Sequence, residues 1–398
     1  MYAIKTYNVI SNVGLAVFPK DKYVINGEQE PDALLIRSQN LHRGVLPVSL
    51  LAIGRAGAGV NNIPLDKASE NGVVVFNAPG ANANAVKELV TAVLIMAARP
   101  ILPAINWTKS LNSGDAADVT LQAEAGKNHY RGTELAGKTL GVIGLGAVGS
   151  KVADTAHQLG MNVIGYDPYI SVEHAWQVQS DIPRADSLKE VLASADYVTI
   201  HIPYNERNKN LIGAEELLMM KKGAVLLNYS RNGIVDETAV LAALNVGQLD
   251  QYWTDFASDA LIKHDKVVVT PHLGGTTKEA EDNCAHMVAT TLRKYLETGE
   301  IEHSVNYPDV RMPFNSAYRL TLLHQNVPNM VGRVATILAD LNINIANMIN
   351  ASRGDYAYTM IDVDQMDEEH YQKFEEKCLS IDEMIRVRGI RNEKMAQQ

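Results

Sequence analysis

Three short apolar runs in the second half of the chain are each followed by a side chain suited to proton chemistry. These side chains are Arg231, Asp259 and His272. An imidazole titrates near neutral pH and can take the proton of a hydroxyl group, while a neighbouring carboxylate orients the ring and raises its pKa. A fixed guanidinium can bind a substrate carboxylate and polarise a carbonyl oxygen. Together these residue types predict oxidation of a secondary alcohol, with Arg231 binding the substrate and the Asp259–His272 pair as the base.

Each side chain also has a plain structural interpretation. His272 could cap a helix or pack in a core, and Arg231 and Asp259 could form a surface ion pair worth less than about 1 kcal/mol. The functional interpretation is favoured because the apolar runs before them are typical of successive parallel strands, whose carboxyl ends meet at one edge of a sheet. These runs are 224–228, 253–256 and 267–270.

A glycine-rich turn predicts the hydride acceptor that such an oxidation needs. An apolar run leads into Gly144-x-Gly146-x-x-Gly149 and then into a helical segment. These glycines permit a tight bend, close approach of backbone to a pyrophosphate, and close helix–strand packing, while the helix N-terminus offers N–H groups. The next strand ends in Asp167, where a carboxylate can accept the ribose hydroxyls of NAD and would repel the additional phosphate of NADP. NAD is therefore the predicted cofactor, and a βαβ unit without a cofactor is the alternative.

Composition limits the classes of protein to which the chain can belong. A chain of 398 residues predicts two or three domains, and its net charge of −10 argues against general binding of nucleic acid or of a membrane surface. An anionic substrate would need a local cluster of basic residues. No signal-peptide segment or membrane-length apolar run is evident, so we expect a cytoplasmic protein. The two cysteines, Cys284 and Cys378, lack the spacing of metal ligands, and we predict no metal site.

The order of elements predicts two doubly wound α/β domains and a small third domain. In the first of these, three apolar runs end in polar or glycine-rich tips, which in a parallel sheet face a ligand crevice. Backbone N–H groups of the Gly54–Gly59 loop could bind a carboxylate, although a flexible turn is the alternative. Beyond residue 317, a βαββαβ order predicts a ferredoxin-like domain. The candidate substrate-binding residues are Arg37, Ser38, Arg55, Ala56, Gly57 and Asn77.

These motifs resemble those of the D-2-hydroxyacid dehydrogenase family. The segments that carry the resemblance are 54–63, 77–82, 144–149, 231–237 and 270–274. The resemblance implies a flavodoxin-like substrate-binding domain (1–96 and 285–310), a Rossmann NAD domain (97–284) and a C-terminal ACT domain (317–398). It also implies that Asp255 contacts the nicotinamide amide. The complete set of predicted cofactor-binding residues is Gly144, Gly146, Ala147, Val148, Gly149, Asp167, His201, Ile202, Pro203, Tyr229, Ser230, Asp255 and Gly274.

The resemblance further implies a reaction. We expect oxidation of 3-phospho-D-glycerate to 3-phosphohydroxypyruvate with NAD, the first step of L-serine synthesis, with His272 as general base. The alternatives are a glyoxylate or hydroxypyruvate reductase on the same scaffold, and a binding protein that senses NAD(H) without turnover. Asp259 departs from the family pattern, which usually has Glu there, so its side chain is one methylene shorter.

The third domain resembles the ACT module, which commonly binds amino acids at a domain dimer interface. His324, Asn326 and Asn344 match its ligand-contacting pattern and would hydrogen-bond L-serine. Asn329 stands where the module normally has Gly, so a purely structural dimerisation domain is the alternative. Either role predicts a homodimer or a homotetramer.

Overall fold

The computed structural model describes residues 1–111, 116–171, 175–176, 182–392 and 395. Contacts divide the chain into two compact units. The terminal unit combines Met1–Ala81 with Glu281–Gln398, and the middle unit comprises Asn82–Ala280.

A five-stranded parallel sheet forms the first part of the terminal unit. The strands lie in the order β2-β1-β3-β4-β5, which is the flavodoxin-like arrangement. The inner strands β3 and β4 and the edge strand β5 consist almost wholly of buried residues, as expected for a parallel sheet covered on both faces. The elements are β1 (Tyr2–Thr6), α1 (Asn12–Leu15), β2 (Tyr23–Ile25), β3 (Ala33–Ile36), β4 (Ala52–Arg55), α2 (Leu65–Glu70) and β5 (Val74–Phe76).

Six parallel strands form the sheet of the middle unit. Their order is β11-β10-β9-β8-β6-β7, so the chain winds outward from β6 first to one side and then to the other. The strands are β6 (Thr139–Ile143), β7 (Asn162–Tyr166), β8 (Tyr197–Ile200), β9 (Ala224–Asn228), β10 (Leu249–Thr254) and β11 (Val267–Val269). The α-helices are α3 (Ala83–Ala98), α4 (Ile101–Ser110), α5 (Ala116–Gly126), α6 (Gly149–Gln158), α7 (Leu188–Ser194), α8 (Ala214–Met219) and α9 (Glu237–Asn245), and short 3₁₀ helices span Lys127–Tyr130 and Leu261–Lys263.

The strands of this sheet end in one row. Each last residue pairs with the last residue of its neighbour, in the order Tyr166, Ile143, Ile200, Asn228, Thr254 and Val269. All loops that leave the carboxyl ends of the strands therefore start at the same edge. Because β7 and β8 lie on opposite sides of β6, the edge has a topological switch point there, which is where open α/β sheets bind ligands.

A long helix and an antiparallel sheet complete the terminal unit. The sheet order β13-β14-β12-β15 with βαββαβ connectivity is ferredoxin-like, so the predicted fold class is confirmed for all three sheets. The elements are α10 (Lys278–Thr298), β12 (Tyr318–Gln325), α11 (Met330–Asp340), β13 (Ile345–Arg353), β14 (Tyr356–Val363), α12 (Glu368–Leu379) and β15 (Met384–Arg391).

Two arginine side chains of the antiparallel sheet donate to carbonyl groups at the end of α10. Arg319 is fully buried, pairs with Asp362 at 2.6 Å and donates to the carbonyl oxygen of Thr298 at 2.9 Å. Arg388 donates to the carbonyl oxygen of Tyr295 at 3.2 Å. The last carbonyls of a helix lack partners within the helix, so these bonds fix the sheet to α10.

The unit boundaries differ from those expected from the sequence. The first segment ends at Ala81 instead of residue 96, because the apolar face of α3, including Val86 and Val90, packs in one core with Val152 of α6. At the other end, the terminal unit resumes at Glu281 instead of residue 285. The antiparallel sheet shares a core with α10 and the flavodoxin-like sheet. The contacts therefore group it with the terminal unit, while its other face packs on α11 and α12 in a core of its own.

No single helix among the described residues has the length and apolar character needed to cross a membrane. Helices α3 and α4 meet that criterion only when taken together, and they are bent by 67° at the break between them.

Candidate active site

The predicted catalytic and cofactor-binding residues lie in loops that leave the row of strand ends in the middle unit, except Gly149, which begins α6. Strands β9, β10 and β11 are neighbours in this row, and Arg231, Asp255 and His272 each follow one of them by one to three residues. Adjacent strands are about 4.8 Å apart, so the backbones of β9 and β11 are separated by about 10 Å. The fold thus gathers these three residues at one edge.

The glycine turn after β6 has the geometry of a pyrophosphate cradle. Gly144 has a φ of +90°, and a Cβ atom there would lie 2.6 Å from the carbonyl oxygen of His201. A Cβ at Gly149, the first residue of α6, would overlap the carbonyl oxygen of Gly144. By contrast, a Cβ at Gly146 would have no atom within 4 Å. The turn therefore packs tightly on its protein side and leaves open space at Gly146, where a ligand can approach the backbone.

Asp167 holds the other side of this turn. Its carboxylate accepts the backbone N–H of Leu145 at 2.9 Å and that of Tyr169 at 2.9 Å. An ionised carboxylate has about four acceptor positions, so two protein bonds leave capacity for the ribose hydroxyls of a nucleotide. The predicted residues Ala147 and Val148, between these elements, are half-buried.

The loop after β8 contacts the loop after β9. The Ser230 hydroxyl donates to the carbonyl oxygen of Ile202, and Pro203 is exposed. The His201 ring lies 2.9 Å from the Thr199 hydroxyl, and burial lowers the pKa of His201 to about 3, so it is neutral at physiological pH. The Tyr229 hydroxyl is buried and has no hydrogen-bond partner in the described part of the chain, which leaves one donor unsatisfied beside these loops.

Asp255 anchors the turn that carries His272. Its buried carboxylate accepts the hydroxyl of Thr270 at 2.5 Å and the backbone N–H groups of Leu273 at 2.8 Å and Gly274 at 2.7 Å. His272 lies between these contacts with a φ of +57°, a left-handed conformation that is uncommon outside glycine. Such a conformation persists only where the surroundings enforce it, and it is concentrated at functional sites.

His272 itself remains accessible. Its ring packs edge-on against Phe256, with centroids 5.3 Å apart and an interplanar angle of 73°, and the residue is exposed. One side of the ring therefore packs on Phe256, and the other side is open to a substrate hydroxyl.

Asp259 does not meet His272 in the structure. Its side chain is 82% exposed and pairs with Lys263 at 2.6 Å, and no hydrogen bond or ion pair joins Asp259 to His272 among the described residues. The predicted orienting pair is therefore absent from this conformation. The physical reason is that Asp259 lies five residues beyond β10, next to a short 3₁₀ helix (Leu261–Lys263) that brings Lys263 within reach. Asp255, which directly follows β10, is the carboxylate that contacts the histidine turn.

Arg231 is half-buried at the end of β9. One guanidinium N–H donates to the carbonyl oxygen of Ser230 at 2.8 Å, and no carboxylate lies within ion-pair distance in the portion of the chain described. Burial lowers the pKa of Arg231 from its ordinary value, although an arginine stays protonated. A partly desolvated guanidinium without an ion-pair partner is suited to bind an anionic group or a carbonyl oxygen.

The candidate substrate-binding residues lie at the carboxyl ends of three neighbouring strands of the terminal unit. Arg37 follows β3 and pairs with Glu281 at 2.6 Å, and Arg55 Nε donates to the carbonyl oxygen of Arg37 at 3.1 Å. Asn77 follows β5 and donates to the carbonyl oxygen of Ala58 at 2.7 Å. The remaining candidates, Ser38, Ala56 and Gly57, make hydrogen bonds through their backbone. The N–H of Ser38 donates to the side-chain oxygen of Asn8, and the N–H of Ala56 donates to the carbonyl oxygen of Ile36. The carbonyl oxygen of Gly57 accepts the N–H of Ala78.

The three candidate regulatory residues do not lie together within one chain. His324 is buried, with its two ring nitrogens bonded to the Gln325 carbonyl and the Thr359 hydroxyl, and burial lowers its pKa. Asn326 donates to the carbonyl of Gly354 at one end of β14, whereas Asn344 contacts Asp364 at the other end. The intervening eight-residue strand corresponds to a separation on the order of 25 Å.

The residues of the middle unit fit NAD. The open space at Gly146, the N-terminus of α6 and the partly free carboxylate of Asp167 match a pyrophosphate and a ribose. Among the described residues, no group of three or more His, Cys, Asp or Glu side chains could hold a metal ion. Both cysteines are buried and unpaired.

Comparison with known proteins identifies the family. Residues 92–274 match the family described as D-isomer specific 2-hydroxyacid dehydrogenase, NAD binding domain. A curated protein of Escherichia coli strain K12 is 34% identical over 352 residues, which cover 85% of this chain and 81% of that one. The chain therefore belongs to the D-2-hydroxyacid dehydrogenase family and is an NAD-dependent oxidoreductase.

The relatives within this family share a more specific name. The Escherichia coli protein is a D-3-phosphoglycerate dehydrogenase. A protein of that name from Methanocaldococcus jannaschii is 34% identical over 356 residues, which are 87% of this chain and 65% of the relative. The fold also resembles a cofactor (NAD+) bound 3-phosphoglycerate dehydrogenase of Entamoeba histolytica, with a TM-score of 0.59, 23% identity and coverage of 77% of this chain and 98% of that one.

Two side-chain roles were not predicted from the sequence. The resemblance predicts a nicotinamide contact for Asp255, and in the structure its carboxylate holds the His272 turn through Thr270. Glu281 is the partner of Arg37, which the sequence does not indicate. A signal for the first role is present in the sequence, because a carboxylate that directly follows a buried strand must find hydrogen-bond donors.

Proposed function

We propose that the protein oxidises 3-phospho-D-glycerate to 3-phosphohydroxypyruvate with NAD, the first step of L-serine biosynthesis. The 34% identity to two D-3-phosphoglycerate dehydrogenases carries this proposal. The arrangement of the glycine turn, Arg231 and the Asp255-anchored His272 turn at one sheet edge supports it. We also propose a cytoplasmic location, in keeping with this metabolic role.

The residues of the middle unit have distinct tasks in this reaction. Bound NAD supplies the acceptor for the hydride that leaves C2 of the substrate. The imidazole of His272 takes the hydroxyl proton, so the C2–OH group becomes a carbonyl and the proton is later passed to solvent. Arg231 binds the substrate carboxylate and polarises the forming carbonyl oxygen. Asp255 acts through His272 by fixing the backbone of its turn.

We assign recognition of the anionic substrate to the terminal unit's loops. Arg37 and Arg55 are the basic residues that follow β3 and end β4, and Asn77 follows β5. A protein with a net charge of −10 needs such local cations to attract a phosphorylated acid.

Steady-state kinetics with a panel of acids tests the function. The panel contains 3-phospho-D-glycerate, D-lactate, D-glycerate, glyoxylate and hydroxypyruvate, each with NAD or NADH as required. We expect kcat/KM to be highest for 3-phospho-D-glycerate in the oxidative direction. A higher kcat/KM for glyoxylate or hydroxypyruvate, by orders of magnitude, would identify a reductase, and binding of NADH without turnover of any acid would identify a sensor.

We propose that the protein is a homodimer or homotetramer that binds L-serine at paired ferredoxin-like sheets. Because Asn326 and Asn344 lie at opposite ends of β14 in one chain, a ligand that contacts both needs two copies of the chain.

Helix α4 has no buried residue and exposes Ile101, Leu102 and Ile105, which favours a second association surface in the middle unit. Light scattering measures the mass, and calorimetry measures serine binding. A monomer, or no heat at millimolar serine, would contradict the corresponding proposal.

A further inference from the structure

Arg37, the basic residue that follows β3, already has an anionic partner. Its guanidinium donates through one nitrogen to a carboxylate oxygen of Glu281 at 2.6 Å, and the two side chains are 38% and 40% exposed. Glu281 lies in the first turn of α10 (Lys278–Thr298), where a helix N-terminus favours a negative charge. The carboxylate is thus held in place by two interactions and remains open to solvent.

A second arginine lies beside this pair. Arg55 donates to the backbone carbonyl of Arg37, and a Cβ atom at Gly57 would overlap the Arg55 guanidinium, so arginine and glycine lie in direct contact. Arg37, Arg55 and the backbone of Gly57 therefore meet at the carboxyl ends of β3 and β4.

We propose that Glu281 occupies Arg37 as an internal anion, and so lowers the affinity of this position for phosphate, until a substrate phosphate displaces it. This inference rests on the proposed function, because it assigns the displaced position to the phosphorylated end of the substrate. An exposed ion pair with a single N–O contact is weak and is readily exchanged. Glu281 offers Arg37 a single N–O contact and one negative charge, whereas a phosphate dianion carries two charges and can bind a guanidinium through two parallel hydrogen bonds, so phosphate can displace the carboxylate.

The same competition sets the affinity of the site for phosphate. A 2-hydroxy acid without a phosphate has no second anionic group to offer Arg37, so the Arg37–Glu281 pair stays closed and its binding does not depend on Glu281. For a phosphorylated acid, part of the attraction to Arg37 is offset by the loss of the Arg37–Glu281 pair, so Glu281 lowers the affinity for the phosphorylated end.

Binding of inorganic phosphate to the Glu281→Gln protein tests this proposal. Isothermal calorimetry is performed with saturating NADH, so that the dinucleotide turn is filled. Removal of the competing carboxylate should tighten phosphate binding about two- to fivefold, the range expected for a half-exposed ion pair. The double variant Arg37→Met/Glu281→Gln should lose this gain, which locates the bound phosphate at Arg37.

Glu279→Gln is the matched control. Glu279 is exposed, lies in the same turn of α10 and makes no ion pair among the described residues, so its replacement removes the same charge without freeing Arg37. Its phosphate affinity should equal that of the wild type. Thermal unfolding of all variants checks that the fold is retained.

Three results would overturn the proposal: equal or weaker phosphate binding in Glu281→Gln, the same gain in Glu279→Gln, or no detectable binding in either the wild type or Glu281→Gln. The result is independent of turnover. If the wild type fails to oxidise 3-phospho-D-glycerate, the proposed function is wrong, while phosphate binding still decides the role of Glu281.

Discussion

The glycine turn after β6 and the histidine turn after β11 lie at the same sheet edge, but they are specified in different ways. The glycine turn is defined by backbone: Gly144 and Gly149 permit contacts that any side chain would block, and their spacing is visible in the sequence. The histidine turn is defined by side chains: Asp255, 17 residues before His272 in the chain, holds it from a neighbouring strand. A site formed by the backbone of one segment can be identified from the sequence of that segment. A site formed by side chains from two strands can be identified only when the pairing register of the strands is known.

Replacement of the histidine should have the largest effect on activity. Asn is the appropriate substitute, because it tolerates the left-handed backbone of His272 better than most residues and cannot act as the base. We expect His272→Asn to lower kcat by about 10²- to 10⁴-fold. NADH binding, followed by fluorescence titration, should be unchanged because the glycine turn is intact. A kcat within threefold of the wild type would remove His272 as the general base.

Asp255→Asn should break the histidine turn while it leaves the imidazole present. The amide retains one acceptor oxygen, but its NH₂ group would face one of the backbone N–H donors of Leu273 or Gly274. Loss of one such charge-assisted bond costs about 1.5–3 kcal/mol of unfolding free energy. We expect kcat to fall on the order of 100-fold, because the base is no longer fixed.

Urea denaturation and single-turnover kinetics measure these two effects of Asp255→Asn separately. Normal stability combined with normal kcat would show that the turn does not depend on this carboxylate.

The glycine turn offers a matched pair of substitutions. Gly149→Ala places a Cβ on the carbonyl oxygen of Gly144, and such overpacking costs about 1–3 kcal/mol. Gly146→Ala adds the same methyl group to open space, so the unfolding free energy should be unchanged, while the Kd for NADH should rise on the order of tenfold as the backbone becomes less accessible to the pyrophosphate. Denaturation and titration of both variants measure the two quantities. A Gly146→Ala protein that binds NADH as tightly as the wild type would exclude the proposed approach of the pyrophosphate.

Much of the fold could be predicted because the strands are buried, short and separated by helical periodicity. The predicted apolar runs 224–228 and 267–270 correspond to β9 and β11, and the structure also contains the predicted βαββαβ order of the last segment. Strands β1 and β2 were not predicted, since Lys5 in β1 and the brevity of β2 weaken their apolar patterns. Helices α4 and α5 were not predicted either; for α4, Pro100 and Pro103 at its start are typical of a turn or of a helix end.

Side-chain partners could be predicted less well than elements. Chain order placed Arg231, Asp259 and His272 on successive strand ends, but it could not show that Lys263, four residues from Asp259, is a nearer partner than His272. The unit boundary at Ala81 depends on whether α3 packs in the core of the terminal unit or in that of the middle unit. The sequence of α3 is apolar enough to pack in either core. In each case, the decisive quantity is a distance between segments that are remote in the chain.

Asp259→Asn is predicted to have the smallest effect, and it tests the contrast between the two carboxylates most directly. Its side chain is 82% exposed and contacts Lys263 instead of His272, so its loss should change kcat by less than about twofold, and Lys263→Met should behave in the same way. The pH profile of kcat/KM sharpens the test, because a carboxylate that orients an imidazole also raises the pKa of the ring. An unchanged profile means that Asp255 alone positions the base through its turn. A fall of tenfold or more, with the profile moved to lower pH, would mean that Asp259 leaves Lys263 and pairs with His272 during turnover, as the order of the strand ends predicts.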